Sequence, residues 1–468
     1  MIRDLNKAIE AKQPGRRGHL TRVIGLSALA ALGCVGTANA TIKTDIGVDY
    51  RATGFYVESE SFATPATDPE ITPQDNDNGF AHYLRVKADL KHEETGVEVH
   101  TRVELAGDRW SGDQRDYQTS SDNSFNADNR GDNVRLDLGF VQIPFKFGLL
   151  RVGRQEANWN NCLLVCDDRR DRALFLTKLG KVSAFIGYDR RQDNTGYLNE
   201  DNGDQIFPGF VAPLGESGWS LGFLYVHWLD NYNGDLVGPA GPRNTYVLSN
   251  TNIYSPYMQG SVGPVDISFG GNWLEGGNVN ANQTAEGGDY FNDDAYSGYF
   301  RIGADVGMFE LKAQYVATRD GGLMSTGFDT YSSLINSSPE STANPTSLYQ
   351  MGRYLGREGF DESLYIASIG MNVTEKFALR GALGFLDIEV PDSAAVNGET
   401  SDTSTVYDLQ ASYQLNEAVR TWATLGMLKE NDVGMLRGNS LIGGTTPNGG
   451  TFADDRVIAG SVNLGVQF

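Results

Sequence analysis

No stretch of this 468-residue chain offers the roughly 20 consecutive apolar residues that a membrane-crossing helix needs. That excludes a helical membrane bundle, yet it does not exclude strands that cross. In a membrane barrel only alternate residues meet lipid, so a mean hydropathy of −0.36 fits such a fold. Cysteine is scarce, at three residues. Basic residues are outnumbered 38 to 60 by acidic ones, for a formal net charge of −22. That acidity argues against nucleic acid as a partner and fits a cell-surface protein with solvated acidic loops. Signatures of enzyme chemistry are missing as well, with no HExxH, GxSxG or phosphate-loop pattern, so no enzyme is expected. The expectation extends to no bound cofactor.

The first 40 residues read as an export signal. Arg3, Lys7, Lys12, Arg16, Arg17 and Arg22 form a basic region, Val23 to Val35 an apolar one, and Ala38-Asn39-Ala40 a cleavage site. Cys34 lacks the leucine three residues upstream that a lipoprotein signal would carry. Cleavage would remove six basic and two acidic side chains and leave a mature net charge of −26. Cys162 and Cys166 would then be the only cysteines, and an oxidising compartment favours their pairing in a small disulfide loop over two free thiols.

What the mature chain has in abundance is alternation. Leu84, Val86, Ala88 and Leu90 share one face while Arg85, Lys87, Asp89 and Lys91 share the other. A turn at Glu93-Glu94-Thr95-Gly96 leads to Val97, Val99, Thr101 and Val103, opposed by Glu98, His100, Arg102 and Glu104. So many charges on the inner face require a wet interior. The pattern recurs to the end of the chain. It predicts about 18 strands, with tight turns near residues 94, 145, 180, 215, 263, 307, 375 and 416 and long polar connections between them. Short and long connections alternate, as a transmembrane antiparallel barrel with short periplasmic turns and long extracellular loops requires. Residues 204–213, with Pro208 and Pro213, and 245–260, with Pro256, are the weak strands, because proline cannot complete a ladder. Losing the first would reduce the count to 16. Residues 41–468 are expected to form one barrel with no separate plug domain.

The final residues alternate as Ile458, Gly460, Val462, Leu464 and Val466, ending on Phe468. This terminal strand resembles the C-terminal signature of Gram-negative outer-membrane proteins. The resemblance implies recognition by the barrel-assembly machinery, and a place among outer-membrane lipid and lipopolysaccharide. Val152-Gly153-Arg154-Gln155 resembles the strand of porins that precedes their third surface loop, and Leu150-Arg151-x-Gly153-Arg154-Gln155 is similar to a stretch of the 18-stranded alginate-export porins. The porin resemblance implies a homotrimer and an inward-folded third loop. Residues 156–171 would be that constriction, with Trp159, Asp167, Asp168, Arg169 and Arg170 at the narrowing and Cys162 and Cys166 stiffening it. A solvated surface loop is the alternative.

The site of a channel is its lining. Alternation places Arg85, Lys87, His100, Arg102, Arg135 and Arg151 inward, interleaved with Asp89, Glu98, Glu104 and Asp137. Later strands add Arg301, Lys312, Arg380 and Arg420 with Glu310 and Asp408. Free cations there would favour anions, whereas pairing would make a salt-bridged wall. The acidic connections at 58–79 and 108–131 include Asp75-Asn76-Asp77-Asn78-Gly79, which opens like a calcium loop but lacks the distal glutamate. Passive diffusion of small hydrophilic solutes is the function expected, with a selective channel for acidic saccharides and a non-conducting structural or adhesin barrel as alternatives.

Overall fold

The computed structural model describes residues 41–58, 76–109, 135–193, 202–229, 237–238, 241–242, 251–276, 294–325, 327–336, 355–356, 360–390, 400–429 and 456–468. The export signal and most of both acidic connections lie outside them.

Twenty strands follow in chain order: β1 (Ile42–Glu58), β2 (Asn76–His92), β3 (Glu98–Arg109), β4 (Arg135–Phe145), β5 (Gly148–Trp159), β6 (Val165–Leu179), β7 (Val182–Asp193), β8 (Asn202–Leu214), β9 (Trp219–Trp228), β10 (Val237–Gly238), β11 (Gly241–Pro242), β12 (Asn252–Val262), β13 (Val265–Glu275), β14 (Ala295–Val306), β15 (Phe309–Arg319), β16 (Asp361–Asn372), β17 (Phe377–Glu389), β18 (Ser401–Asn416), β19 (Val419–Lys429) and β20 (Val457–Gln467). Of these, β10 and β11 pair only with each other, and the other 18 form one antiparallel sheet. Each strand pairs with its sequence neighbours, and β1 closes the ring on β20 from Asp49 opposite Gln467 to Glu58 opposite Ile458. Closure leaves no edge, so every ladder is satisfied within the protein, as a lipid environment demands.

The outer face carries the apolar half of the alternation. Leu136, Ile186, Ile369, Leu383, Leu409 and Val462 are exposed there. Across β9, β12, β13 and β14 the outward rings of Tyr225, Tyr254, Trp273 and Tyr296 stack in a row, with centroids 5.3, 4.9 and 6.3 Å apart. Such a row is the interfacial girdle of a membrane barrel.

Both proline-bearing segments are strands. Pro208 keeps its register with Ile186 of β7, while the β8–β9 ladder skips from Ile206 to Gly209. Likewise Pro256 pairs with Phe223 of β9, while the β12–β13 ladder skips from Tyr254 to Tyr257. Having no N–H, each proline costs its strand a link on one side only. Residues 245–250 lie outside the described residues, and β12 begins at Asn252. Asn76 to Gly79 of the calcium-like stretch extend β2 and pair with Phe55 to Glu58, so those residues are ladder rather than turn.

The reading of 156–171 as a long loop is corrected. β5 runs to Trp159 and β6 starts at Val165, so only 160–164 turn the chain. This hairpin bends into the barrel, where its tip buries Trp159 and Leu163 while the stretch from Cys166 to Arg172 is polar on both faces. Outward apolar residues are absent from Cys166 to Arg172 for that reason, and the alternation that marks a wall strand is lost.

Candidate functional site

Two inward segments narrow the barrel. The first is the β5–β6 hairpin, whose tip reaches across to β12, β13 and β14. Trp159 Nε1 donates to the Ser255 carbonyl at 3.0 Å, and the Asn161 amide donates to the Tyr299 hydroxyl at 2.7 Å. Trp159 is buried among Phe185, Tyr257 and neighbouring side chains. Cys162 and Cys166 are joined in a disulfide within the tip.

The second segment, Gly327–Asn336, was not foreseen. It lies against the inner face of β14 to β19 and buries Phe328, Leu334 and Ile335. Inward charges of the wall hold it. Asp408 accepts from Ser332 Oγ at 2.7 Å, from the Ser333 amide at 2.7 Å and from Ser333 Oγ. Arg301 donates to the Asp329 carbonyl and Arg380 to the Tyr331 carbonyl. Arg301 is also boxed by the rings of Tyr299, Phe328 and Tyr331, at 5.3, 4.3 and 5.4 Å. Thus Arg301, Arg380 and Asp408, expected as lining, instead serve as anchors. The two segments meet where the Ser325 amide donates to the Leu163 carbonyl at 2.8 Å.

Phe55, Val57, Leu428, Val457 and Ala459 of β1, β19 and β20 are buried in the cluster that holds the inner segment, whereas the open part of the interior is lined by β1 to β5. A cavity of about 620 Å³ lies there, lined by Lys43, Lys87, Lys91, His100, Arg151 and Glu156 among others. Every sequence-selected acid on this wall is paired. Arg85 Nε meets Glu104 at 2.9 Å, Lys87 meets Asp89 at 2.7 Å, and Lys91 meets Glu98 at 2.5 Å. His100 sits between Asp89 and Glu98, at 2.9 and 3.2 Å, and stacks on Phe140. Asp137 gathers three guanidiniums: Arg102, Arg169 at 2.5 Å and Arg85 at 3.9 Å. Arg169 also pairs with Asp167, and Arg170 with Asp168, each at 2.5 Å. This network fastens the root of the hairpin to the wall. Arg151 donates to Gln142 at 2.7 Å and lies over the Phe140 ring. Arg135 opens β4 opposite Glu104, and its side chain lies outside the described residues.

One basic pair was only half legible. Arg420 of β19 and Arg51 of β1 both stand opposite Gly465 of β20, so they flank a position without a side chain. Arg51 has Asp49 at 3.5 Å. Arg420 lies 5.7 Å from the Trp422 ring, and among the described residues no carboxylate reaches it. Alternation marks Arg420 directly. The odd positions Lys43, Asp45, Asp49 and Arg51 of β1 form a polar face that carries the same signal for Arg51.

No family model matches this sequence, and no curated protein matches it. Solved structures do resemble it. Pseudomonas aeruginosa OccK9 (OpdG) superposes with a TM-score of 0.55 at 12% identity, over 91% of this chain and 98% of its own. The outer membrane protein OpdK of the same organism gives 0.52 at 10%, over 91% and 99%. OccK2 (OpdF) in complex with glucuronate gives 0.52 at 10%, over 91% and 96%. At these identities the likeness concerns fold, and the closed ring of 18 strands agrees with it. The chain has the fold of the 18-stranded outer-membrane porins.

Proposed function

We propose that this protein is an outer-membrane channel through which small hydrophilic solutes diffuse, with a preference for those carrying a carboxylate or other anionic group. The observation that carries the preference is the Arg51–Arg420 pair flanking Gly465, with Arg420 unmatched by any acid among the described residues. The Trp422 ring covers Gly465 between them, and guanidiniums on either side of an apolar ring offer forked donors to a planar anion. Lumenal cations such as Arg85, Lys87 and Lys91 are matched by acids, so Arg420 supplies the bias, with Arg51 beside it, against a mixed, ion-paired background. Acidic saccharides are the narrower reading within this class, favoured by the glucuronate complex of a channel of like fold. Export through residues 1–40, assembly through the strand ending at Phe468, a lipopolysaccharide surround and a homotrimeric state complete the proposal. So does calcium at the acidic loops, as a surface bridge rather than a cofactor.

Planar-bilayer recording tests it. The purified protein should give discrete open channels that reverse on the anion-preferring side in a molar KCl gradient, and Arg51→Ala with Arg420→Ala should abolish that bias. Strong cation preference under the same conditions would overturn the anionic reading. Absence of any current would favour a structural barrel.

A further inference from the structure

The tip of the inward hairpin is built like a latch. Asn160, Asn161 and Cys162 have φ of 55, 51 and 70°, three consecutive side-chain-bearing residues in the left-handed region. Such a run persists only where its surroundings over-determine it. Two features do so here. The first is a socket in the opposite wall. Pro256 interrupts the β12–β13 ladder, and into that interruption the Asn160 amide inserts, with its nitrogen 3.1 Å from Ser255 Oγ, 3.1 Å from the Gly271 carbonyl and 3.3 Å from the Pro256 carbonyl. Gly270 leaves the space, because a methyl there would overlap Asn160 Oδ1. The second feature is the Cys162–Cys166 disulfide, which closes the tip on itself.

The second inward segment rests on this tip. A Cβ at Gly327 would lie 2.7 Å from Cys166 Cβ, so bare backbone packs on the disulfide. Leu163 is fully buried in the same cluster as Phe328, and its carbonyl receives the Ser325 amide. The chain of contact runs from socket to tip to disulfide to Gly327–Asn336.

We infer that the Cys162–Cys166 disulfide is the lock of a pore-narrowing latch, and that a dithiol opens it. In the exchange, one thiolate of the reductant attacks a cysteine sulfur, and its second thiol then displaces the mixed disulfide. The reductant leaves as a cyclic disulfide, and its two protons end on the Cys162 and Cys166 thiols. With the ring open, the left-handed run relaxes, Asn160 leaves its socket, and Gly327–Asn336 loses its seat. The inference rests on the channel reading for its conductance readout, but not for its structural one.

Single-channel conductance of the full chain before and after dithiothreitol is the first test. A rise of about twofold or more, or switching between two open levels, is expected on reduction. Cys162→Ser with Cys166→Ser should show the raised state without reductant and no further response. Gly270→Ala, which keeps the disulfide but fills the socket, should show it as well. Heat-modifiable gel mobility identifies variants that retain the barrel. Conductance equal to wild type in both folded variants overturns the latch. Amide exchange across 321–336 gives an answer that needs no current. The Ser325 amide should lose protection on reduction, and unchanged protection overturns the inference even for a silent barrel. A silent barrel that nevertheless loses protection refutes only the channel reading.

Discussion

Asp137 shows how one residue can differ from its expected role. Alternation offered it as a lining acid. Its carboxylate is instead the centre around which Arg85, Arg102 and Arg169 gather, joining β2, β3 and β6 through β4. It is largely buried, and removing it takes one partner from each of three guanidiniums, which keep Glu104, Asp167 and Glu156. Truncating one partner of a buried ion pair typically costs about 3–5 kcal/mol. Asp137→Ala should therefore lower the thermal midpoint of the detergent-solubilised barrel, and Asp137→Asn should do so less. A midpoint unchanged in both would mean that solvent already screens the cluster. Asp408 makes a matching case: its partners are Ser332 and Ser333 of the inner segment rather than a solute. Neither role could be read from sequence, because each depends on a partner brought from a different loop. The inward orientation itself was legible, since it needs only the period-two rule.

At the scale of elements, the 18 barrel strands and the eight tight turns stand where alternation placed them, from Glu93-Glu94-Thr95-Gly96 to Asn416-Glu417-Ala418. Strand pairing in an up-and-down barrel is local, so each hairpin carries its own instructions. The failures have a common cause. The hairpin from Glu156 to Arg172 crosses the interior instead of facing lipid on one side, and Gly327–Asn336 has no ladder, so neither displays the period of a wall strand. Pro256 was read as a weakness in a strand and proved to be half of a socket. The inner segment offers its own test. An ideal Cβ at Gly426 would lie 2.8 Å from Ser333 Oγ, close to the reach of a cross-link. Ser333→Cys with Gly426→Cys should oxidise spontaneously to pin the segment to β19. The pinned channel should fall toward wild-type conductance from the raised level of an open latch, and reduction should raise it again. In this variant reduction also opens Cys162–Cys166, so the comparison belongs in a Cys162→Ser, Cys166→Ser background. A double cysteine variant that fails to cross-link would place the segment elsewhere in solution. Trp159→Ala addresses the other element. Loss of a buried tryptophan costs about 3–5 kcal/mol of packing, and here that packing joins the hairpin to the far wall rather than holding the barrel shut. Larger conductance with little change in barrel melting is expected, and a collapse of the melting point with no change in current would contradict this.

The whole molecule sets two fields against each other. The chain is strongly acidic, at −22 overall, yet its inner face presents Arg420, which no carboxylate among the described residues reaches, beside Arg51. These fields differ in reach. Net charge spread over a large surface acts over many ångströms, whereas a guanidinium seat acts at contact. Salt separates them, because the screening length falls from about 10 Å at 0.1 M to about 3 Å at 1 M. At molar salt the distant acids are screened, and an ion in the channel meets only the groups it touches, so on the proposed reading the Arg51–Arg420 pair should govern selectivity. At low salt the acidic surface extends its influence to the mouth and enriches cations there. Anion preference should therefore strengthen as salt rises, opposite to the trend of a channel whose selectivity comes from a diffuse basic field. Reversal potentials under a fixed tenfold KCl gradient, centred first near 0.1 M and then near 1 M, measure this directly. In the Arg51→Ala, Arg420→Ala variant the low-salt cation bias should persist and the high-salt anion preference should vanish. Anion preference that weakens with salt, or that survives the double variant, would move selectivity away from this pair and onto the paired wall of β2 to β5.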